Sequence, residues 1–364
     1  MFNLGRENTG LIAKWWRNID KQILFLFTLF FFLGLFFSFS STSSVVAEKF
    51  DKETYFFFIK HLIFVILSLL LLFIISIQEK NKIIKYFIYF FFISFMLLLL
   101  VPFIGTEIKG SKRWLDLFII PKFQPIELVK PLFILYVAKI IILNSNMNIY
   151  SRYLLSFFIL FFISVLLINQ PDLGQTLLLL GSWLIMIFVS GFNMYFLTIL
   201  GFVVLFTIFF LVYFFPSKFG YVISRVQNFL NPSTGDNFQT QKALDAIKQG
   251  GLTGQGMGEG ILKDKVPEAH TDYIVAVISE EFGALFVLFI VILFLVLSYK
   301  VLNKVFLEKD EFLKLALVGL ISILIIQTFI HIGVNTRLLP TTGMTLPFLS
   351  YGGSSLIGSS IIAG

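Results

Sequence analysis

The chain has 364 residues, of which 57% are hydrophobic and only 13% charged, whereas a soluble globular domain holds about 45–50% apolar and about 25% charged residues. That balance excludes a soluble fold and points to a polytopic membrane protein. There is no Cys for disulfide or thiol chemistry, three scattered His argue against a structural zinc site, and the net charge of +7 is read as basic loops facing anionic lipid, with no nucleic-acid partner.

A spanning helix needs about 20 mostly apolar residues. In chain order, such runs cover residues 23–40, 56–77, 83–102, 126–143, 153–168, 173–191, 195–215, 275–299 and 312–334. A tenth begins near Gly352 and is short before the chain ends at Gly364. The expected fold is therefore all-α: one membrane domain over residues 1–364 with about ten transmembrane helices. The first run is long and lacks a small-residue cleavage site, so no cleavable leader is expected. One long polar interruption, residues 216–278, separates the seventh and eighth runs. No internal repeat or second soluble domain is visible.

Basic residues choose the sidedness. Arg6, Lys14, Arg17 and Lys21 lie in the segment 1–22; Lys80, Lys82 and Lys85 follow the second run; Lys300, Lys304, Lys309 and Lys314 surround the eighth-to-ninth connection. With about ten spans these share one side, so both termini are expected to be cytoplasmic and the long loop extracytoplasmic. The loop carrying Lys109, Lys112 and Arg113 is basic yet external. It fits an anionic ligand or a lipid headgroup equally well.

Three stretches carry candidate chemistry. In VPEAHTDYIVAVISEEFG (266–283), Glu268, His270 and Asp272 stand just before a span. A carboxylate at a membrane surface is partly desolvated, which raises its pKa and improves it as a general base. Capping of the following helix by Thr271 or Asp272 accounts for one polar residue there, not for three ionisable groups. Glu280 and Glu281, farther in, call for a cavity, a partner or the positive end of a helix dipole. In the second stretch Gln124, Glu127 and Lys130 share a helical face. Glu127 and Lys130 form either a self-neutralising bridge or part of a polar cavity, and Arg113 and Lys130 suit a diphosphate. The third is the pair NQPDLGQT (169–176) and GVNTRLLPTTGMTLPFLSYGGSS (333–355), where Pro, Gly and polar residues break apolar runs. Broken helices at membrane depth are buried or line a cavity. Asp172 and Arg337 are candidate cavity residues or simple turn residues, Asp172 more readily the latter, and His331 reads as an interhelical hydrogen-bond donor. GGLTGQGMGEG (250–260) lacks the strand and helix of a nucleotide loop and reads as a flexible hinge.

These motifs, in order GSKRWL, QPIELVK, QPDLGQT, RVQNFLNP, VPEAHTDYI, EEFG and TLPFLSYGGSS, resemble the SEDS family (shape, elongation, division and sporulation), from the first span to the tail. PEAHTD and GMTLP are more similar to its division branch than to its elongation branch. The chain departs from the family pattern at Ile126, where Ser is usual, at Gln175, and in its short tail. The resemblance implies a ten-span fold, polymerisation of lipid II (an undecaprenyl-diphosphate-linked disaccharide pentapeptide), and a class B penicillin-binding transpeptidase and other divisome membrane proteins as partners. It implies a place in the cytoplasmic membrane at the division septum. It matches the family's essential loop aspartate to Asp272 and its sensitive polar positions to Glu268, Arg113 and Lys130; His270 and Lys109 are further candidates for substrate contact. Diphosphate is a good leaving group, so one base and nearby cations suffice. Asp272 is expected as the base, Arg113 and Lys130 as the cations, and Glu268 as orienting the acceptor. A divalent cation, magnesium or manganese, remains open. A lipid II flippase and a non-catalytic scaffold are the competing expectations.

Overall fold

The structure, a computed structural model, describes residues 10–41, 55–108, 110–116, 121–144, 146–193, 216–231, 237–262 and 265–364, with isolated residues between 195 and 214. A short amphipathic helix α1 (Leu11–Asn18) leads into α2 (Lys21–Ser41), α3 (Phe56–Ser76) and α4 (Lys80–Ile104). A two-stranded antiparallel hairpin, β1 (Thr106–Ile108) and β2 (Ser111–Trp114), precedes α5 (Pro125–Leu143), α6 (Ile149–Asn169) and α7 (Leu173–Val189). The interruption holds α8 (Pro216–Leu230) and α9 (Phe238–Gly250). The chain then runs through α10 (Ile274–Leu307), α11 (Glu311–Asn335) and α12 (Gly353–Ala363).

Six described helices are long and apolar enough to cross a membrane: α2, α3, α4, α6, α10 and α11. The protein is thus a helical multi-pass membrane protein. Helix α5 matches the expected run 126–143 but carries Glu127, Lys130 and Lys139; α7 and α12 are shorter apolar helices. The expected run 195–215 lies mostly outside the described residues. Helix α11 is the central post: 67% of its most apolar window is buried, and α5, α7, α9, α10 and α12 all pack against it.

Three basic connections meet at one end of the bundle. Lys304 Nζ lies 2.8 Å from Asp20 Oδ2, Lys80 pairs with Asp310, and Lys300 donates to Gln22 Oε1 at 2.5 Å. The hairpin, α8, α9 and the start of α10 sit at the other end. The basic connections and the hairpin thus occupy opposite ends of the bundle.

The Gly-rich run is not the hinge expected from the sequence. Helix α10 is broken at Gly283, whose φ is +83°, and the run docks its backbone into that break. Gln255 N–H and Gly256 N–H donate to the carbonyls of Glu280 (2.8 Å) and Glu281 (3.0 Å), while Ala284 and Leu285 donate back to Gly251 (2.9 Å) and Leu252 (3.2 Å). Glu280 Oε1 accepts from Leu262 N–H at 2.7 Å and Glu281 Oε1 from Gly258 N–H at 3.2 Å. These buried carboxylates thus find their partner in the loop's amides. Backbones approach this closely only without side chains: a Cβ on Gly254 would stand 2.2 Å from the Glu281 carbonyl oxygen.

Gly254→Ala is therefore expected to lower stability by about 2 kcal/mol or more, through overpacking at a left-handed position. Gly220→Ala in α8, which meets nothing within 4 Å, should be neutral or slightly stabilising. Melting temperatures of the two purified variants check the contrast; equal values would show that the docking is not tight.

Candidate functional site

A cavity of about 690 Å³ opens among the hairpin, the start of α5, the turn before α10 and the irregular tail segment between α11 and α12. Its wall includes Arg113, Gln124, Glu127, Arg225, Glu268, Asp272 and Tyr351. Residues far apart in sequence converge here because α11 holds the non-helical segments in place. Gln327, His331 and Asn335 recur every four residues and so share one face. Gln327 Nε2 donates to the Thr345 carbonyl at 2.9 Å. His331 Nδ1 donates to the Met344 carbonyl at 2.7 Å. Asn335 Nδ2 donates to the Asp272 carbonyl at 3.0 Å, and its Oδ1 accepts from Ala276 N–H at 3.2 Å.

The tail segment is sewn to the Glu268–Asp272 turn from its other edge. Ser350 Oγ donates to the Thr271 carbonyl at 2.7 Å, and Tyr351 N–H to that of His270 at 2.9 Å. Glu268, at φ +58°, closes the turn by accepting from the amides of Thr271, Asp272 and Tyr273 on its carbonyl. Its carboxylate takes the Thr271 hydroxyl at 3.0 Å. Asp272 is thereby held by its backbone, and it lines the cavity. A Cβ on Gly343 would lie 3.6 Å from Asp272 Oδ2 and 4.0 Å from Arg113 Nη1, so carboxylate and guanidinium approach the same point of the cavity wall.

Arg113 is fixed from behind. Its Nε donates to the Gln170 carbonyl at 2.9 Å, its Nη2 donates to that of Pro171, and its Nη1 lies 3.7 Å from Asp172 Oδ2. Burial pushes the Asp172 carboxyl up and the Arg113 charge opposes that shift. Asp172 also caps α7 and accepts from Gln124 Nε2 at 3.0 Å; it is a turn residue and an orienter at once. Arg225 donates to the Thr341 carbonyl at 3.1 Å. Burial and then the nearby Arg113 guanidinium push its pKa down, against the pull of Asp172 and Asp272. Two guanidiniums close enough to repel each other in a half-closed cavity form a receptor for an anion. Burial, and next the Asp272 charge, push the Tyr273 phenol up, so it stays a neutral neighbour.

Asp272, Glu268 and Arg113 are thus brought together. Lys130 is not: it is 2% exposed and is absent from the described cavity wall. Its Nζ lies 2.8 Å from Glu127 Oε2 and donates to Gln327 Oε1 at 3.1 Å. Glu127 Oε1 in turn accepts from Gln175 Nε2 at 2.9 Å. The expectation of Lys130 as a cation on a diphosphate is corrected here: its charge is spent inside the protein, where Glu127 alone would be too costly to bury. His270 packs its ring between Phe57 and Tyr351, with centroids 5.5 Å from each. Lys109 lies outside the described residues. Arg225, within RVQNFLNP, and the polar periodicity of α11 belong to the site without being among its expected residues; the signal for the first is an arginine inside a motif, and for the second polar residues at intervals of four in a span.

The chain matches the family described as cell cycle protein, FtsW/RodA/SpoVE, over residues 20–364. It belongs to that family. It is 36% identical over 267 residues to a probable peptidoglycan glycosyltransferase FtsW of Caulobacter vibrioides, covering 72% of this chain and 66% of that one. It is also 36% identical over 263 residues to stage V sporulation protein E of Bacillus subtilis, covering 71% and 70%. The match therefore spans about two thirds of these relatives' lengths. Among solved structures, a chain of a peptidoglycan synthase complex that coordinates polymerization and crosslinking superposes with a TM-score of 0.77 at 26% identity, over 95% of this chain and 96% of that one. The rod shape determining protein RodA of Thermus thermophilus gives 0.68 at 26% identity, over 95% of each chain.

Lys130→Met is expected to cost about 3–5 kcal/mol, because it strands a buried carboxylate. Adding Glu127→Gln should recover a good part of that loss. A double-mutant cycle on thermal unfolding checks it; additive losses would show that the pair is not coupled.

Proposed function

We propose that the chain is a peptidoglycan glycosyltransferase that polymerises lipid II in the cytoplasmic membrane during cell division. The observation that carries this reading is the Asp272 carboxylate facing Arg113 across one cavity, with Arg225 on the same wall. The topology that goes with it has about ten spans, both termini in the cytoplasm and residues 216–278 as an extracytoplasmic loop between the seventh and eighth. The basic end of the bundle supports that orientation, since it lies opposite the cavity.

The chemistry asks for little. Asp272 takes the proton of an acceptor sugar hydroxyl as that oxygen bonds to the anomeric carbon of the donor. The bond from that carbon to the diphosphate breaks, and the diphosphate departs with the electron pair. Arg113 and Arg225 meet the developing charge where water is partly excluded. Glu268, beside Asp272, is the residue that would hold a magnesium or manganese ion, which would supply further positive charge for the departing diphosphate. Among the described residues no cluster of three or more His, Asp or Glu forms a cage of protein ligands alone. The likeness to a chain of a synthase complex supports a class B penicillin-binding transpeptidase as partner at the septum, together with other divisome membrane proteins.

Asp272→Asn keeps the size and loses the base. Polymerisation of purified lipid II by the chain with its partner should fall about 10²–10⁴-fold, with the melting temperature within a few degrees of the parent. A variant that polymerises at the parent rate would remove Asp272 from this role.

A further inference from the structure

A second cavity, of about 320 Å³, lies beside the first under α8 and α9. Arg225, Gln239 and Thr341 line both, so the two share a wall. The second wall adds Arg337 and the amide side chain of Asn228 between apolar surfaces such as Phe229 and Leu339. No Asp or Glu lines it among the described residues.

Arg337 is the telling member. Its φ of +58° lies in the left-handed region that favours glycine and is uncommon for other residues. Its guanidinium has no carboxylate or hydrogen-bond partner among the described residues, although the side chain lines a cavity that already holds Arg225. Backbone strain opposes an arginine at this place, and an observed outlier of this kind is a pointer to function. The chemistry of the wall narrows the ligand. Two guanidiniums accept carboxylates in forked geometry, amides pair with peptide groups, and apolar walls take small side chains. A bare diphosphate would use only the first of these.

We propose that this cavity binds the carboxylate-bearing peptide arm of the lipid-linked saccharide, with Arg337 on a carboxylate, while the sugar and diphosphate occupy the larger cavity, with Arg225 on the boundary between the two. The inference rests on the polymerase reading for its choice of substrate. Binding can nonetheless be measured without turnover.

The purified full chain is titrated by calorimetry with a water-soluble disaccharide peptide, its carboxylates either free or amidated. The parent chain should bind the free form about tenfold or more tightly than the amidated one, as one or two charge-assisted hydrogen bonds imply. Arg337→Gly relieves the backbone and so should fold, yet it should bind the two forms alike; Arg337→Lys should keep part of the preference. Equal binding of both forms by the parent, or a preference that survives Arg337→Gly, would overturn the proposal. So would Arg337-dependent binding of inorganic pyrophosphate with no effect of amidation, which would assign the cavity to a diphosphate. Lipid II polymerisation is assayed on the same preparations. A parent chain that polymerises but shows no peptide preference sinks this inference alone; a parent chain with the preference but without polymerisation sinks the enzymatic reading and leaves the binding site standing.

Discussion

The polar face of α11 is the constraint on which the reactive half of the molecule rests. Non-helical backbone next to lipid must have its carbonyls and amides satisfied inside the protein, because no water is there to do it. Gln327, His331 and Asn335 meet that demand one turn apart, each accepting responsibility for a different carbonyl of Thr345, Met344 or Asp272. The tail segment and the turn before α10 are consequently held by one rigid post. Without those three side chains, two pieces of irregular chain would have no reason to lie side by side at the mouth of the bundle.

From that post the polar network runs inward. Gln327 also accepts from Lys130, which neutralises Glu127, which accepts from Gln175 on α7. Helices α5, α7 and α11 are thereby joined by hydrogen bonds at a level where apolar packing gives no preference for one register over another. A buried ion pair is weak support for stability as such, and its best-attested role is to fix one arrangement among several. Here the arrangement fixed is the floor of the cavity, since Glu127 and Gln175 line it.

Much of the frame was legible in the sequence. Apolar runs match several described helices to within a few residues, from α2 (Lys21–Ser41) against 23–40 to α11 (Glu311–Asn335) against 312–334, while α10 (Ile274–Leu307) runs eight residues past the expected 275–299; spanning length is imposed by the bilayer. The cluster before α10 announced itself by three ionisable groups at a span entrance. What periodicity and spacing do not contain is which distant segments meet. The Gly-rich run looked flexible because glycine is permissive, whereas its glycines serve close backbone approach to a helix broken at Gly283. Lys130 looked like a spare cation because its neighbour in space, Gln327, is 197 positions away. The α11 ladder was readable in principle: polar residues at intervals of four inside a span name one face, and only His331 was considered alone.

The distribution of charge around the cavity then follows from what each group must do. A cation meant for a transient diphosphate cannot also be locked into a strong internal pair, or the incoming charge gains little. Lys130 fails that test at 2.8 Å from Glu127. Arg113 passes it: its firm bonds go to the neutral carbonyls of Gln170 and Pro171, and Asp172 stands off at 3.7 Å. Carbonyl partners orient a guanidinium without cancelling it, and Asp172 tempers a charge that Arg225 would otherwise repel. The site is thus pre-organised by groups that hold the cations in place while leaving their charge available, which is the condition for electrostatic stabilisation to be larger in the transition state than in the empty cavity.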